Sequence, residues 1–316
     1  MHAWESIQTT VDYIEDHISE DISITSLASL ASLSPFYFQR LFSRLVRKPV
    51  NEYIKLRRLA RAAESLPEKG VRILDIALDV GFSSHEVFTR AFKRSYNMTP
   101  EEYRDNPVQL NHFCKPQLLL HYTLIDEGVP LIADGIVIEI SRHRLAAPQN
   151  FIGLSVEEPI DNMPGSEVTG VDGLSALWDA FHQHKPSMQG LIEGGDELGV
   201  AYGSSKPGYY QYFGGAQAHG GTAVDGCDTW TDEMRVCRTW TLEAGEYIVC
   251  SFEAEDFEHL VTDALYKAQQ YLFSMWLPRH KLISKPFAIE RYANHSPETT
   301  AMEVWVMPDT LADTLA

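Results

Sequence analysis

Two stretches within the first hundred residues repeat one another at a fixed offset of fifty. Ser34-Pro35-Phe36-Tyr37-Phe38-Gln39-Arg40-Leu41-Phe42 is echoed by Ser84-His85-Glu86-Val87-Phe88-Thr89-Arg90-Ala91-Phe92, and the pairs Arg40/Arg90, Phe42/Phe92 and Tyr53/Tyr103 keep the same spacing. A duplicated small unit presents two matching contact surfaces, and duplex DNA is the common partner that repeats its own surface.

Each unit reads as two short helices joined by a tight turn. In the second, Leu74 to Val80 forms the first helix, Gly81 supplies the left-handed residue that a chain leaving a helix needs, Phe82 plugs the turn, and Ser83 or Ser84 caps the next helix. In the first, Ile24 to Leu30 is the opening helix, Ser34 is a good N-cap, and Pro35 suits the first helical position, where its missing N–H costs nothing.

The second helix of each unit has two distinct faces at helical spacing. Phe38, Leu41, Phe42 and Leu45 form an inward stripe and leave Phe36, Gln39, Arg40, Ser43, Arg44 and Arg47 outside. In the later unit Phe88, Ala91 and Phe92 face inward, with Ser84 at the cap and His85, Glu86, Thr89, Arg90 and Lys93 outside. These outward residues are the expected DNA-binding set. Arg grips guanine and Gln grips adenine in bidentate fashion, an aromatic ring meets a thymine methyl, and a glutamate accepts from cytosine N4.

The pattern from Ile76 to Arg104, with Val80-Gly81-Phe82-Ser83-Ser84, Phe88, Arg90, Phe92-Lys93-Arg94 and the closing Thr99-Pro100-x-x-Tyr103-Arg104, resembles the signature of the AraC/XylS family of bacterial transcription regulators. The resemblance spans roughly residues 5 to 105. It implies an all-α domain with two helix-turn-helix units joined by one long helix, whose recognition helices enter neighbouring turns of the major groove. Asn51 to Leu66, apolar at Tyr53, Ile54, Leu56, Leu59, Ala60 and Ala63 and followed by Pro67, fits that connector. Ser32 stands where the second unit has Gly81, and Arg47 and Asn97 stand where the family usually has glycine. Each left-handed conformation kept at such a position costs roughly 1–2 kcal/mol.

The chain carries a formal charge of −18, which alone argues against a nucleic-acid partner. The charge is, however, unevenly distributed. Residues 34–107 hold 14 Lys and Arg against 9 Asp and Glu, a net of +5, whereas residues 108–316 hold 12 against 29, a net of −17. The basic surface is local, and phosphate contacts there carry the salt dependence of counterion release.

A chain of 316 residues needs a second domain. Composition changes near Asp105-Asn106-Pro107, so the expected division is a DNA-binding domain at 1–107, a linker at 108–134 and a second domain at 135–316. That domain alternates strand and helix patterns: a strand at Gly135–Leu145, a helix striped with Leu174, Leu177, Trp178 and Phe181, and strands at Leu198–Tyr202 and Tyr209–Phe213. A further strand follows at Tyr247–Phe252, then a long helix from Phe257 to Met275 ended by Pro278, and closing strands at Phe287–Tyr292 and Met302–Met307. An α+β layer structure is expected.

Ala244-Gly245-Glu246-Tyr247 before a strand, Phe287-Ala288-Ile289-Glu290-Arg291-Tyr292 and the terminal Met302-Glu303-Val304-Trp305-Val306-Met307-Pro308 resemble the GyrI-like small-molecule-binding domain over about residues 135–310. Its place behind an AraC-type module resembles the Rob class of regulators. Strand alternation puts Glu290 with Tyr292 and Glu303 with Trp305. If those faces converge, two carboxylates beside aromatic rings favour a cation, with cation–π attraction of roughly 0.5–2 kcal/mol. The resemblance implies contact of Glu290 and Glu303 with cationic lipophilic compounds. The alternative is one solvated glutamate and one paired with Arg291 or another Arg. Among Trp178, Phe181, Tyr210, Tyr212, Tyr247 and Trp276, two are expected in the cavity, with Trp178 and Tyr247 as candidates.

Other chemistry finds little support. Cys114, Cys227, Cys237 and Cys250 lack C-x-x-C spacing and read as reduced thiols. His182 and His184 do not share a helix face, Gly214-Gly215 and Gly220-Gly221 lack the context of a phosphate loop, and no membrane span or signal peptide is seen. The expectation is therefore a cytoplasmic, sequence-specific transcription regulator, an activator before a repressor. It has no cofactor or metal, no enzymatic activity and no membrane partner, and it has double-stranded DNA, RNA polymerase and a small cationic or amphipathic effector as partners. The competing readings are a GyrI-like hydrolase or a drug-sequestering module fused to a DNA-binding domain.

Overall fold

The computed structural model has helices filling the chain up to Asp105, and its long strands begin with Ile136. It describes residues 2–68, 70–133, 135–163, 168–220, 235–293 and 298–310. The elements are α1 (Ala3–Asp16), α2 (Ile24–Leu30), α3 (Pro35–Val46), α4 (Val50–Ser65), α5 (Ile73–Asp79), α6 (His85–Tyr96), α7 (Pro100–Asp105), β1 (Leu110–Asn111), α8 (Leu118–Tyr122), β2 (Leu131–Ala133), β3 (Ile136–Leu145) and β4 (Gln149–Pro159). After them come β5 (Gly170–Val171), α9 (Leu174–His184), β6 (Glu197–Gly203), β7 (Tyr209–Ala218), β8 (Arg235–Leu242), β9 (Gly245–Glu253), α10 (Phe257–His259), α11 (Leu265–Tyr271), α12 (Leu277–Arg279), β10 (Leu282–Ser284), β11 (Phe287–Tyr292), β12 (Ala301–Val306) and β13 (Pro308–Thr310). Two compact units result: Met1–Leu119 with Gly165–Asp172, and Leu120–Pro164 with Gly173–Ala316.

The first unit holds two hydrophobic cores at the two ends of α4. Val50, Tyr53 and Ile54 join Ile7, Val11 and Ile14 of α1 and Phe38 and Phe42 of α3, while Leu59, Ala62, Ala63 and Leu66 join Ile76, Phe88, Phe92 and Tyr96. Each fully buried aromatic or aliphatic side chain contributes about 1.5–3 kcal/mol, so both cores depend on the one helix. Ser34 accepts from the Tyr37 N–H and Ser84 from the Val87 N–H, which caps α3 and α6 at the same point of the repeat. Both helices end in the left-handed region at φ 60, at Arg47 and at Asn97. Ser32 takes φ 56 in the first turn, where Gly81 takes φ 89 in the second, so the non-glycine residues keep the left-handed geometry with its strain. The first turn spans residues 31–34 and the second 80–84, one residue longer.

A polar network crosses the first core. The Glu15 carboxylate accepts from Tyr53 Oη at 2.6 Å and from Arg57 Nε at 2.7 Å, and Arg57 Nη1 donates to the Phe113 carbonyl at 2.8 Å. Burial opposes ionisation of Glu15, but Arg57 and Tyr53 outweigh it and hold the carboxyl below its usual range.

The second unit is built on a nine-stranded antiparallel sheet in the order β2-β3-β9-β12-β11-β6-β7-β4-β8. The long helix expected from Phe257 to Met275 is a rod in which α10, α11 and α12 alternate with π-helical turns at Leu260–Ala264 and Leu272–Trp276; Pro278 lies inside α12 rather than ending the helix before it. Under the rod, the Ile125 backbone is pinned at both ends, its N–H by Tyr271 Oη and its carbonyl by the Trp276 indole, each at 3.1 Å. Strands β4 and β8 were not expected from the sequence. Gly214-Gly215 lies in β7, where a Cβ on the facing Gly153 would fall 2.0 Å from the Gly214 carbonyl oxygen, so close backbone approach explains the glycines. Cys114 and Cys250 are not disulfide-bonded, but Cys237 is, which overturns the expectation of a reduced thiol there. Cys227 lies outside the described residues. Among the described residues no helix is long and apolar enough to cross a membrane.

Candidate nucleic-acid interface and small-molecule cavity

The recognition-type helices α3 and α6 turn the expected faces outward. Phe36 is 62% exposed, and Gln39, Arg40, Arg44, Arg47, Glu86, Arg90 and Lys93 are exposed as well. Ser43, Ser84, His85 and Thr89 are half-buried. Several of these side chains are already oriented by their own helix. Arg40 lies over the Phe36 ring at 5.6 Å, Gln39 Nε2 donates to the Pro35 carbonyl at 3.3 Å, and Arg90 Nε donates to the Glu86 carbonyl at 3.3 Å. Such contacts reduce the rotamer freedom that a side chain loses on meeting a base.

Two of the expected residues have other engagements, and a third is enclosed. The Ser84 hydroxyl beside Glu86 holds that carboxyl below its usual range and ties it to the helix cap. His85 Nε2 lies 3.3 Å from Glu101 Oε1, and the Thr89 hydroxyl is enclosed with no hydrogen-bond partner among the described residues. Tyr37, 63% exposed and edge-on to Phe36 at 5.5 Å, extends the aromatic surface of α3 and was absent from the expected set. Its signal was available, since it precedes the buried Phe38 and so cannot share its face.

Residues 27–106 match the family described as "Helix-turn-helix domain". The regulatory protein SoxS of Salmonella typhimurium is 38% identical over 98 residues, which cover 31% of this chain and 92% of SoxS. The chain belongs to the AraC/XylS family. Two longer relatives are matched over less of their length: YbfP, an uncharacterized HTH-type transcriptional regulator of Bacillus subtilis, at 44% identity over 33% of this chain and 35% of that protein, and the Right origin-binding protein of Escherichia coli K12 at 32% over 40% and 46%. The chain thus spans about a third to a half of the length of these two relatives. A solved AraC-type regulator from Chromobacterium violaceum is 28% identical over 33% of this chain and 96% of its own, with a TM-score of 0.31.

In the sheet-containing unit of this AraC/XylS protein, the two glutamates singled out by sequence do not converge. Glu303 pairs in register with Arg291, whereas Glu290 pairs with Val304 and Gly199. Register partners share a face and chain neighbours do not, so Glu290 and Glu303 stand on opposite faces of the sheet. The expectation of one site between them is corrected by that pairing register, which a single strand cannot reveal.

Glu290 is buried on the wall of a cavity of about 460 Å³ that is also lined by Tyr210, Tyr212 and Phe273. Its Oε2 accepts from Tyr212 Oη at 2.6 Å and from Tyr292 Oη at 3.3 Å, and its Oε1 from Gln269 Nε2 at 3.1 Å. Gly199 makes this approach possible, because a Cβ there would fall 2.1 Å from Tyr212 Oη and 2.9 Å from Glu290 Oε2. Burial and then the nearby Glu290 charge push the Tyr212 phenol well above its ordinary value, so it remains a hydrogen-bond donor. Trp178 donates to Tyr212 Oη at 3.4 Å and packs edge-on to Tyr292 at 5.5 Å, bracing the wall from behind. Of the six aromatic residues from which two were expected in the cavity, Tyr210 and Tyr212 line it; Gln269 and Gly199 were not singled out beforehand, because they become informative only once the sheet and the helical rod are placed.

On the other face, Trp305 Nε1 donates to Glu303 Oε2 at 2.7 Å and Ser251 Oγ donates to Oε1 at 3.5 Å. Arg291 lies over the Trp305 ring at 4.7 Å and is ion-paired with Asp196. Tyr247 is fully buried in the core beside Trp305, 5.4 Å between ring centroids, and its hydroxyl donates to the Glu243 carbonyl. The six expected effector residues therefore divide, with Glu290, Tyr292 and Trp178 on one face and Glu303, Trp305 and Tyr247 on the other.

Proposed function

We propose that the protein is a sequence-specific DNA-binding transcription regulator, with the helical unit reading DNA and the sheet-containing unit binding a small cationic or amphipathic effector. The duplicated, capped and outward-facing helices α3 and α6 carry this reading. Gln39, Arg40 and Arg90 read base edges, Arg44, Arg47 and Lys93 meet phosphates, and the Phe36 and Tyr37 pair contacts thymine methyls or sugars. Exposure and pre-orientation of these side chains support the assignment.

The effector site is the cavity around Glu290. A buried carboxylate held by neutral hydroxyl and amide donors, facing a wall of aromatic rings, favours a lipophilic cation over an anion or a neutral sugar. Effector binding alters gene expression only if its affinity differs between two states of the protein. Activation, with RNA polymerase as the partner, is the proposed outcome. Two experiments test the reading. Selection of genomic fragments by the purified protein at stated salt should return a shared motif. Titration with cationic dyes should give saturable binding without turnover; release of product would favour hydrolysis instead.

A further inference from the structure

Arg58 projects from the middle of α4, between the two cores that this helix serves. Its guanidinium donates to three backbone carbonyls: Nε to Ile18 at 2.8 Å, Nη2 to Glu20 at 2.6 Å and Nη1 to Gly81 at 2.7 Å. Ile18 and Glu20 follow α1 and belong to the first helix-turn-helix half; Gly81 is the left-handed residue in the turn of the second. One planar fork therefore ties the two halves together with charge-assisted bonds of the stronger kind.

The second half accommodates this tie. A Cβ on Gly81 would lie 2.7 Å from the Arg58 guanidinium carbon, so the glycine supplies both the positive φ and the space for the fork. Beside Arg58 is a cleft of about 230 Å³ lined by Asp21, Asn51 and Lys55 as well as Ile22, Ile54 and Phe82, and the buried cores of the two halves are separate clusters.

We propose that Arg58 is a positioning residue that sets the register between α3 and α6, and so the number of base pairs separating the two DNA segments they read. The proposal rests on the DNA-binding reading above. A one-base-pair change in spacer moves one contact surface by about 3.4 Å along the duplex and about 35° around it, a displacement a stapled pair cannot follow.

The test measures affinity of the full chain for a selected DNA site and for the same site with one base pair inserted or removed between its two contacted segments. Wild type should lose about tenfold or more with either change, a loss comparable to a mismatched base pair. Arg58→Met should bind the best spacing about tenfold more weakly and distinguish the three spacers by less than about threefold. Gly81→Ala, which displaces the fork without removing the charge, should flatten the spacer profile in the same way even if Arg58→Met fails to fold. Arg58→Lys, with one ammonium for three carbonyls, should fall between. A folded Arg58→Met or Gly81→Ala protein with the wild-type spacer profile would overturn the proposal while leaving DNA recognition intact. If wild type recovers no motif at all, the DNA-binding reading fails, and this proposal with it.

Discussion

Glu290 and Glu303 lie on adjacent strands of one sheet yet face opposite ways, because the register partner of Glu303 is Arg291. Only Glu290 opens on the aromatic cavity. Glu290→Gln should weaken binding of a cationic dye by about 1.5–3 kcal/mol, the size of a hydrogen-bonded charged contact. Glu303→Gln should leave dye affinity within about 0.5 kcal/mol of wild type. Fluorescence titration of both variants checks this, and equal losses would mean that both faces take part.

Gly199 should tolerate no side chain. The Gly199→Ala methyl would press against the Tyr212 hydroxyl and the Glu290 carboxylate, and overpacking of this kind costs about 1–3 kcal/mol. Thermal unfolding should fall by a few degrees, and dye binding should fall with it. A variant with unchanged melting and affinity would show that the Tyr212–Glu290 pair yields easily.

His112 should make the helical unit sensitive to mild acid. Its Nδ1 lies 2.9 Å from Tyr96 Oη, and burial, with Arg57 nearby, pushes the imidazole down from 6.5 to about 4. The unfolded chain takes up this proton first, so the contribution is complete above pH 6.5 and is lost as pH falls toward 4. The loss amounts to at most about 3 kcal/mol. Urea unfolding of wild type and His112→Gln across that window checks it; a constant difference between the two proteins would remove His112 from the acid response.

Arg40 and Arg44 should separate base readout from phosphate binding. Arg40→Ala should cost about 1–3 kcal/mol at the selected site and relax its sequence preference, while Arg44→Ala should weaken all sequences alike and lower the salt slope by about one. Binding isotherms at several salt concentrations distinguish the two. An Arg40→Ala protein with full specificity would leave Gln39 and Arg90 as the readers.

The helical unit was legible in the sequence because its signals are local. Ser34, Ser84, Gly81 and the stripe from Phe38 to Leu45 each act within a turn or two, and α2 falls on Ile24–Leu30 as expected, with α4 one residue earlier than its reading. Helix α1 was not identified, although Ile7, Val11 and Ile14 have helical spacing; the surrounding acidic and polar residues masked it. Strand β4 was missed for a different reason. Residues 151–156 are buried throughout, so the strand lacks the alternation that betrays a one-sided strand. The site was half legible: residue type marked Glu290 and Tyr292, but the contribution of Tyr212, Gln269 and Gly199 depends on which strands pair and in what register, and on where the rod lies. These are properties of long-range contacts and leave no trace in any short window.

The extra residue in the second turn, five where the first has four, makes the two reading heads unequal in presentation as well as in side chains. A symmetric dimer reads a palindrome and cannot tell its left from its right. On the proposed DNA-binding reading, a chain with a distinct front and rear head has polarity, and its two possible orientations on a site are not equivalent.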